Sequence, residues 1–155
     1  MSSLSITSDY PPSAFYFKVV LGATLGLTDS SFQEVSGIGA EMDTEPLAEG
    51  GENRYKLMLP TGIKHSNLEL KRGIASMASP LVLWCKSVFE MDFATSITTQ
   101  PVAVYLMNED QLPIRAWSFD NAFPVKWDVE PFNSTKNEVA IEKIVLSYTS
   151  SNRLI

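Results

Sequence analysis

Alternating apolar and polar side chains predict that most of the chain forms short β-strands. In each such segment every second residue is apolar, which is the pattern of a strand with one buried face. The alternating segments are residues 14–21, 55–59, 67–72, 101–107, 114–119, 123–129 and 139–148. A further strand is predicted at 33–42, where Gly37 and Gly39 indicate a bulge or the close approach of another backbone.

The connections between these strands are rich in Gly, Pro, Asn and Asp, which favour turns. We predict turns at residues 22–31 and 60–62 and a hairpin loop at 108–113. Residues 1–13 are polar, contain two prolines near their end, and are predicted to form a flexible N-terminal arm. Residues 147–155 are predicted to be a short, weakly specified tail.

One amphipathic helix is predicted directly after Ser79. Ser79 is a favourable N-cap, and Pro80 occupies the first helical position, where its missing N–H costs nothing. The apolar side chains that follow recur at helical spacing and include Leu81, Trp84, Cys85, Val88 and Phe89. We expect this helix to end near Met91 and to cover a sheet with its apolar stripe.

The apolar positions of the last predicted strand change phase in the middle. They move from Val139 and Ile141 to Ile144, Leu146 and Tyr148. One extra residue would restore a continuous buried face, so a β-bulge is predicted at Glu142–Lys143.

These elements predict one domain spanning residues 1–155, with a mainly β fold. We expect two packed antiparallel sheets that form a β-barrel or sandwich, with one flanking α-helix. The 155-residue length is sufficient for a sizeable core, and 45% hydrophobic and 19% charged residues are ordinary for a globular domain.

Charge and targeting signals exclude several classes of function. A net charge of −6 argues against nucleic-acid recognition, which requires clustered Lys and Arg. The first residues lack the basic and apolar regions of a signal peptide, so we expect synthesis in the cytoplasm. We expect no membrane segment, because no apolar run approaches the ~20 residues that a spanning helix needs. One cysteine excludes an internal disulfide.

The charges of residues 32–73 are split along the chain. Up to Arg54 there are six acids and one base, and after Arg54 there are four bases and one acid. Such a split is expected where a segment meets a second copy of itself. The candidate subunit-interface residues are Glu41, Asp43, Glu45, Glu49, Glu52, Asn53, Arg54, Lys64, Lys71 and Arg72.

No residue pattern predicts catalysis, a cofactor or a metal. The single histidine, His65, is predicted to be a solvated loop residue, and Cys85 a small core residue. Residues 37–42 lack the third glycine of a dinucleotide fingerprint, and the acids at 41–45 lack the spacing of a calcium loop. The aromatic residues Trp117, Phe119, Phe123 and Trp127 are predicted to pack in the core. We therefore expect a protein that is not an enzyme.

Five short motifs in order resemble the phage tail-tube protein family over roughly residues 10–150. They are SFQEVSGI at 31–38, EGGENR at 49–54, NLELKRG at 67–73, WSFDNAFPVKW at 117–127, and NEVAIE at 137–142 leading to LSY at 146–148. The chain is similar in particular to inner-tube proteins of contractile injection systems, the tail-like particles that some bacteria release to deliver toxins.

The resemblance implies a barrel of two packed sheets with a flanking helix, and subunits that form six-membered rings stacked into a hollow tube. It also implies a long loop, at about residues 41–54 here, that reaches a neighbouring subunit. The expected partners are further copies of the chain, a contractile sheath, the baseplate and spike, and cargo proteins in the lumen.

Three other functions stay open beside the tube subunit. The first is a tube-initiator ring, which joins the tube to the baseplate and spike. The second is a monomeric β-sandwich binding module that uses Trp117 and Trp127 as a ligand platform. The third is a small hydrolase built on His65 and a carboxylate, which the absent catalytic motifs disfavour.

Overall fold

The computed structural model of the chain describes residues 15–22, 27–47, 57–73, 79–90, 97–130 and 140–155. The strands are β1 Tyr16–Leu21, β2 Leu27–Phe32, β3 Glu34–Ser36, β4 Glu41–Leu47, β5 Leu57–Lys64, β6 Leu68–Gly73, β7 Gln100–Met107, β8 Pro113–Val129, β9 Ile141–Ser147 and β10 Ser150–Arg153, and the helix is α1 Pro80–Glu90. All strand pairs are antiparallel. The prediction of a mainly β fold with one helix is confirmed.

Eight strands form one sheet that is folded into two layers, and the long strand β8 belongs to both. Its first half pairs with β7 and β10, and its second half pairs with β9. Asn121 lies between the halves with φ 53°, a left-handed conformation that asparagine tolerates. The two strands predicted at 114–119 and 123–129 are therefore one strand of 17 residues.

The sheet curls back on itself without closing as a barrel. The strand order runs β2-β1-β7-β8-β9-β6-β3, so the two end strands are consecutive in sequence. Gln33 lies between β2 and β3 in the sequence, and its N–H donates to the Lys71 carbonyl on β6 at 2.9 Å. No ladder closes the ring among the described residues, so a sandwich describes the fold better than a barrel.

The core lies between the two layers and under the helix. Its buried residues are Val19, Leu21, Phe32, Leu68, Leu70, Leu81, Trp84, Cys85, Val102, Val104, Phe119, Ala122, Ile144, Leu146 and Tyr148. Trp117, Phe123 and Trp127 are partly buried against this core. The predictions that Cys85 and the four aromatic residues pack in the core are confirmed.

The helix begins as predicted, and its predicted end near Met91 lies outside the described residues. The Val82 N–H donates to Ser79 Oγ at 3.3 Å, which is the hydrogen bond of an N-cap serine. Leu81, Trp84 and Cys85 are buried on the face that covers the sheet. The stripe is imperfect at its end, because Phe89 is exposed.

The bulge predicted at Glu142–Lys143 is wrong. Strand β9 pairs with β6 in unbroken register from Leu68↔Leu146 to Gly73↔Ile141. Glu142 therefore points to the same side as Ile144 and is only 2% exposed. A register shift occurs instead in the pairing of β8 with β9, between Pro124 and Lys126.

An ion pair makes the burial of Glu142 possible. Arg72 Nε lies 3.3 Å from Glu142 Oε2, and Trp127 Nε1 donates to Glu142 Oε1 at 2.8 Å. Arg72 is itself 3% exposed and donates through Nη2 to Ser79 Oγ at 2.7 Å. Its guanidinium lies 4.5 Å from the centre of the Phe32 ring, within cation–π range. Arg72 thus contacts β9, the helix N-cap and β2 from its place on β6.

Two further predictions are wrong, because edge strands form where no turn or tail was expected. Residues 22–31 were predicted as a turn region, but β2 occupies Leu27–Phe32 and pairs with β1. The tail predicted at 147–155 contains β10, which pairs with β8 opposite residues 117–120. Ser150 Oγ also donates to Asp120 Oδ2 at 2.7 Å. Neither segment has apolar alternation that could have indicated a strand. Backbone pairing holds both in place.

Replacing Arg72 with Met should lower the free energy of unfolding by about 3–5 kcal/mol, because Glu142 would remain buried without its counter-charge. Urea denaturation of the purified chain measures this loss. The control is Lys143→Met, which removes the partly exposed Lys143–Glu69 pair at 3.5 Å and should cost at most about 1 kcal/mol. Equal effects of the two substitutions would contradict the structural role of Arg72.

Candidate functional site: a hairpin outside the main sheet

Among the described residues, strands β4 and β5 pair only with each other and form a two-stranded sheet apart from the main one. Every residue of β5 is exposed, and on β4 only Asp43 is partly covered. Ile63 is 72% exposed and Met58 is 54% exposed. A lone hairpin is marginally stable in water, and a contiguous exposed apolar surface marks an interaction site. This hairpin is therefore the candidate functional site.

The hairpin has two chemically different faces, because residues opposite each other share a face. One face is formed by the pairs Met42↔Ile63, Thr44↔Pro60 and Pro46↔Met58. No residue on it carries a charge, and it is called the charge-free face below. The opposite, charged face is formed by the pairs Glu41↔Lys64, Asp43↔Gly62, Glu45↔Leu59 and Leu47↔Leu57.

The split of acids and bases in the sequence is partly satisfied inside this hairpin. Lys64 Nζ lies 2.8 Å from Asp43 Oδ1, and Glu41 is directly opposite Lys64. Both side chains of the ion pair are about half exposed, so the pair contributes only ~0–1 kcal/mol. The opposite charges of the two strands therefore help to pair β4 with β5 within one chain.

The sequence-based prediction for β5 is wrong in two respects. Residues 60–62 do not turn the chain, because β5 continues to Lys64 with Thr61 as an extra residue opposite β4. Leu57 and Leu59 are exposed and do not form a buried face. Pro46 and Pro60 are the sequence signal that could have indicated strands outside the main sheet. A proline cannot donate to a ladder and is confined to edge strands, and a two-stranded sheet has only edges.

The candidate interface residues fall into three groups. Glu41, Asp43, Glu45 and Lys64 lie on the charged face of the hairpin. Glu49, Glu52, Asn53 and Arg54 lie outside the described residues, together with part of the loop predicted at 41–54. Lys71 and Arg72 lie on β6 in the main sheet. The exposed apolar residues Met42, Met58 and Ile63 were not among the candidates.

Lys71 and Arg72 have partners within their own subunit. Lys71 Nζ lies 3.0 Å from Glu130 Oε1, and the hydrogen bond and negative charge of Glu130 raise the pKa of Lys71 above its ordinary value. Arg72 is buried in the ion pair with Glu142. Its position is in the core of the chain and not on its surface.

The described residues hold no group of three His, Cys, Asp or Glu side chains that could bind a metal ion. His65 is not a freely solvated loop residue as predicted, because its ring is partly buried and stacks on Tyr148. Burial raises the pKa of the Cys85 thiol to about 12, which disfavours the reactive thiolate. In the described part of the chain, no helix is long and apolar enough to cross a membrane.

Comparison with known families decides the identity of this fold. Residues 13–152 match the model of the T4-like virus tail tube protein gp19 family. The chain belongs to this family. The resemblance to phage tail-tube proteins is thereby confirmed, and tail tube proteins are structural components. A comparison with curated protein sequences gives no significant match.

Solved structures similar to this tail tube protein include chains of the anti-feeding prophage and of an extracellular contractile injection system. A chain of the anti-feeding prophage baseplate, solved with sixfold symmetry imposed, is 29% identical, with a TM-score of 0.73 over 90% of this chain and 91% of its own. A chain of the PVC sheath–tube complex, an extracellular contractile injection system in its extended state, is 22% identical, with a TM-score of 0.73 over 99% and 98%. A chain of the anti-feeding prophage tube-terminating cap is 23% identical, with a TM-score of 0.72 over 97% and 99%. The last two likenesses show the fold alone.

The Cys85 thiol should be inert in the folded chain. A rise of its pKa from 9.0 to about 12 lowers the thiolate fraction at pH 8 on the order of a thousandfold, so a thiol reagent should label folded protein far more slowly than protein in urea. Because the folded state favours the protonated thiol, this contribution to stability is complete below pH 9 and is lost as pH rises to about 12. A Cys85→Ala variant should lack that part of the alkaline loss. Equal labelling of folded and unfolded chains would contradict the burial.

Proposed function

We propose that this tail tube protein is the structural subunit of the inner tube of a contractile injection system. Six copies form a ring, and rings stack into a hollow conduit that sheath contraction drives into a target. The observation that carries the proposal is the exposed two-faced hairpin on a chain of this family. The relatives in a sixfold-symmetrised baseplate and in a sheath–tube complex support it.

The hairpin supplies what a cyclic ring requires. A ring closes through a heterologous contact, in which one surface of a subunit meets a different surface of the next copy. We propose that the segment from Glu41 to Lys64, which includes the predicted inter-subunit loop at 41–54, reaches the neighbouring copy. Its charge-free face would provide the apolar burial, and the charged face would fix the register, because exposed ion pairs add only ~0.2–1 kcal/mol each.

The further partners follow from the same proposal. The subunit is made in the cytoplasm and assembles into a tail-like particle with a sheath, a baseplate and spike, and cargo proteins in the lumen. Residues 1–13 would form the flexible N-terminal arm of the single domain. We propose no catalytic, cofactor-binding or metal-binding role, because family members are structural proteins.

A tube-initiator ring at the baseplate is the second candidate. The observation that favours it is the 29% identity to a chain of the anti-feeding prophage baseplate. The two roles differ in what the chain assembles into. A main-tube subunit forms stacked rings, whereas an initiator forms single rings unless a tube protein is added.

Electron microscopy and light scattering of the purified chain test the proposal. Rings with six subunits or stacked tubes are the expected result, and their length separates the tube subunit from the initiator. A strict monomer across the whole concentration range would contradict both candidates and favour the monomeric binding module.

Placing a charge on the charge-free face should block assembly. Ile63→Glu removes an apolar side chain whose burial is worth ~1.5–3 kcal/mol, so the concentration needed for assembly should rise at least about tenfold. The matched control Glu45→Gln, on the charged face of the same hairpin, should change it by no more than about fivefold. Light scattering across a dilution series measures both. An unchanged assembly concentration for Ile63→Glu would show that this face is not buried.

The role of the charged face has its own test. If its charges set the register of the ring, replacing Glu41, Asp43 and Glu45 with Lys should impair ring formation at low salt, where screening is weakest. Electron microscopy at low and high salt measures the effect. Normal rings at low salt would show that these carboxylates do not set the register.

A further inference from the structure

The hairpin joins the main sheet through two short connections, which together form its root. Residues 37–40 lead from β3 into β4, and residues 65–67 lead from β5 into β6. The two connections touch at Gly37, where an added Cβ would overlap the backbone carbonyl of Asn67. Gly37 also has φ +89°, which other residues rarely adopt. The backbones cross so closely that position 37 admits only glycine.

The root is only partly enclosed, although Ile38 packs against the core. Two open clefts, of about 330 Å³ and 590 Å³, lie beside it, and Gly37, His65 and Ser66 line both. Because open space lies beside both connections, core packing does not enclose the root on every side. Specific contacts at the root can therefore restrict the direction of the hairpin.

Tyr148 makes specific contacts with both connections. Its hydroxyl donates to the Gly37 carbonyl at 3.1 Å, on the connection that leads into β4. The His65 ring, on the connection that leads out of β5, stacks on the Tyr148 ring with centroids 3.9 Å apart and an interplanar angle of 8°. His65 Nδ1 lies 3.0 Å from the Ser66 carbonyl, so that nitrogen carries the proton and the bond holds the ring in place.

Tyr148 itself is held firmly by the main sheet. It directly follows β9, is 4% exposed, and meets the Phe119 ring edge-to-face at 4.8 Å. Burial raises the pKa of Tyr148, with an opposing effect from a hydrogen bond to Ser151, so its hydroxyl keeps the proton that it donates to Gly37. The side chain therefore couples a buried core position to the attachment point of the hairpin.

We infer that Tyr148 is a positioning residue that fixes the direction of the β4–β5 hairpin relative to the main sheet, with His65 as its stacking partner. The hydroxyl holds one connection and the ring face holds the other, so the two strands of the hairpin leave the sheet at a set angle. This inference goes beyond the proposed function and concerns a single subunit, whether or not copies of the chain form rings.

The distance between the hairpin and the main sheet tests the inference. Spin labels at Glu45→Cys and Asp110→Cys, both exposed positions, report this distance by double electron–electron resonance, while the buried Cys85 stays unlabelled. The sample is the full chain, kept dilute enough to remain unassembled. The decisive variant is Tyr148→Phe with His65→Ala, because it removes both root contacts and keeps the ring that packs on Phe119.

A narrow distance distribution is expected for the parent chain. In the double variant, the share of molecules outside the main peak should rise at least about two- to tenfold, because loss of one ordinary hydrogen bond alone gives a change of that size. In a chain that retains Tyr148, His65→Ala should broaden the distance distribution. His65→Phe, which keeps the stack, should give the narrow distribution of the parent chain. Tyr105→Phe is the matched control on the main sheet and should have no effect.

An unchanged distribution in a double variant whose thermal unfolding shows an intact core would overturn the inference. If the double variant fails to fold, the single variant His65→Ala provides the test, because the His65 ring lies outside the core. Broadening would support the inference, and a parent-like distribution would overturn it. Ring formation is measured separately, so the absence of rings would contradict the proposed function and leave the distance result standing.

Discussion

The buried guanidinium of Arg72 is the contact on which the arrangement of the main sheet and helix depends. It pairs with Glu142 on β9, donates to the Ser79 cap of α1 and lies over the Phe32 ring on β2. A buried charge costs free energy unless it is paired and hydrogen-bonded, so these neighbours must keep their places for the core to form. One side chain thus joins the helix, a central strand and an end strand.

The chain combines two structures with opposite demands. The main sheet buries a continuous core, whereas the β4–β5 hairpin buries almost nothing within its own subunit. The main sheet therefore has its own core, whereas Met42, Met58 and Ile63 are exposed in the single chain. The root, which Tyr148 contacts, connects the two. A sheet that presents an uncovered hairpin suits the proposed subunit, which assembles with copies of itself.

The elements that the sequence predicts well are those whose side chains face the core. The helix after Ser79 and strand β7 have apolar residues at the periods of a helix and a strand, so pattern and structure agree. Strands β2 and β10 lie at sheet edges, where backbone pairing replaces apolar alternation. The local sequence does not indicate that Glu142 is buried, because its partner Arg72 is 70 positions away in the chain. The motifs identified the family. The charges drew attention to residues on the charged face of the hairpin, whereas the exposed residues of the charge-free face carry no charge that could mark them in the sequence.

Methionine oxidation tests the central claim, that the hairpin is bare in the subunit and covered in the assembly. Met42 and Met58 lie on the charge-free face, and Met107 is 7% exposed in the main sheet and serves as an internal reference. Exposed thioethers oxidise to sulfoxide faster than buried ones, and mass spectrometry quantifies each site. We expect Met42 and Met58 to oxidise readily in the dilute subunit and to become protected in assembled rings or tubes, with Met107 protected in both. Rapid oxidation of Met42 and Met58 in the assembled particle would contradict the account.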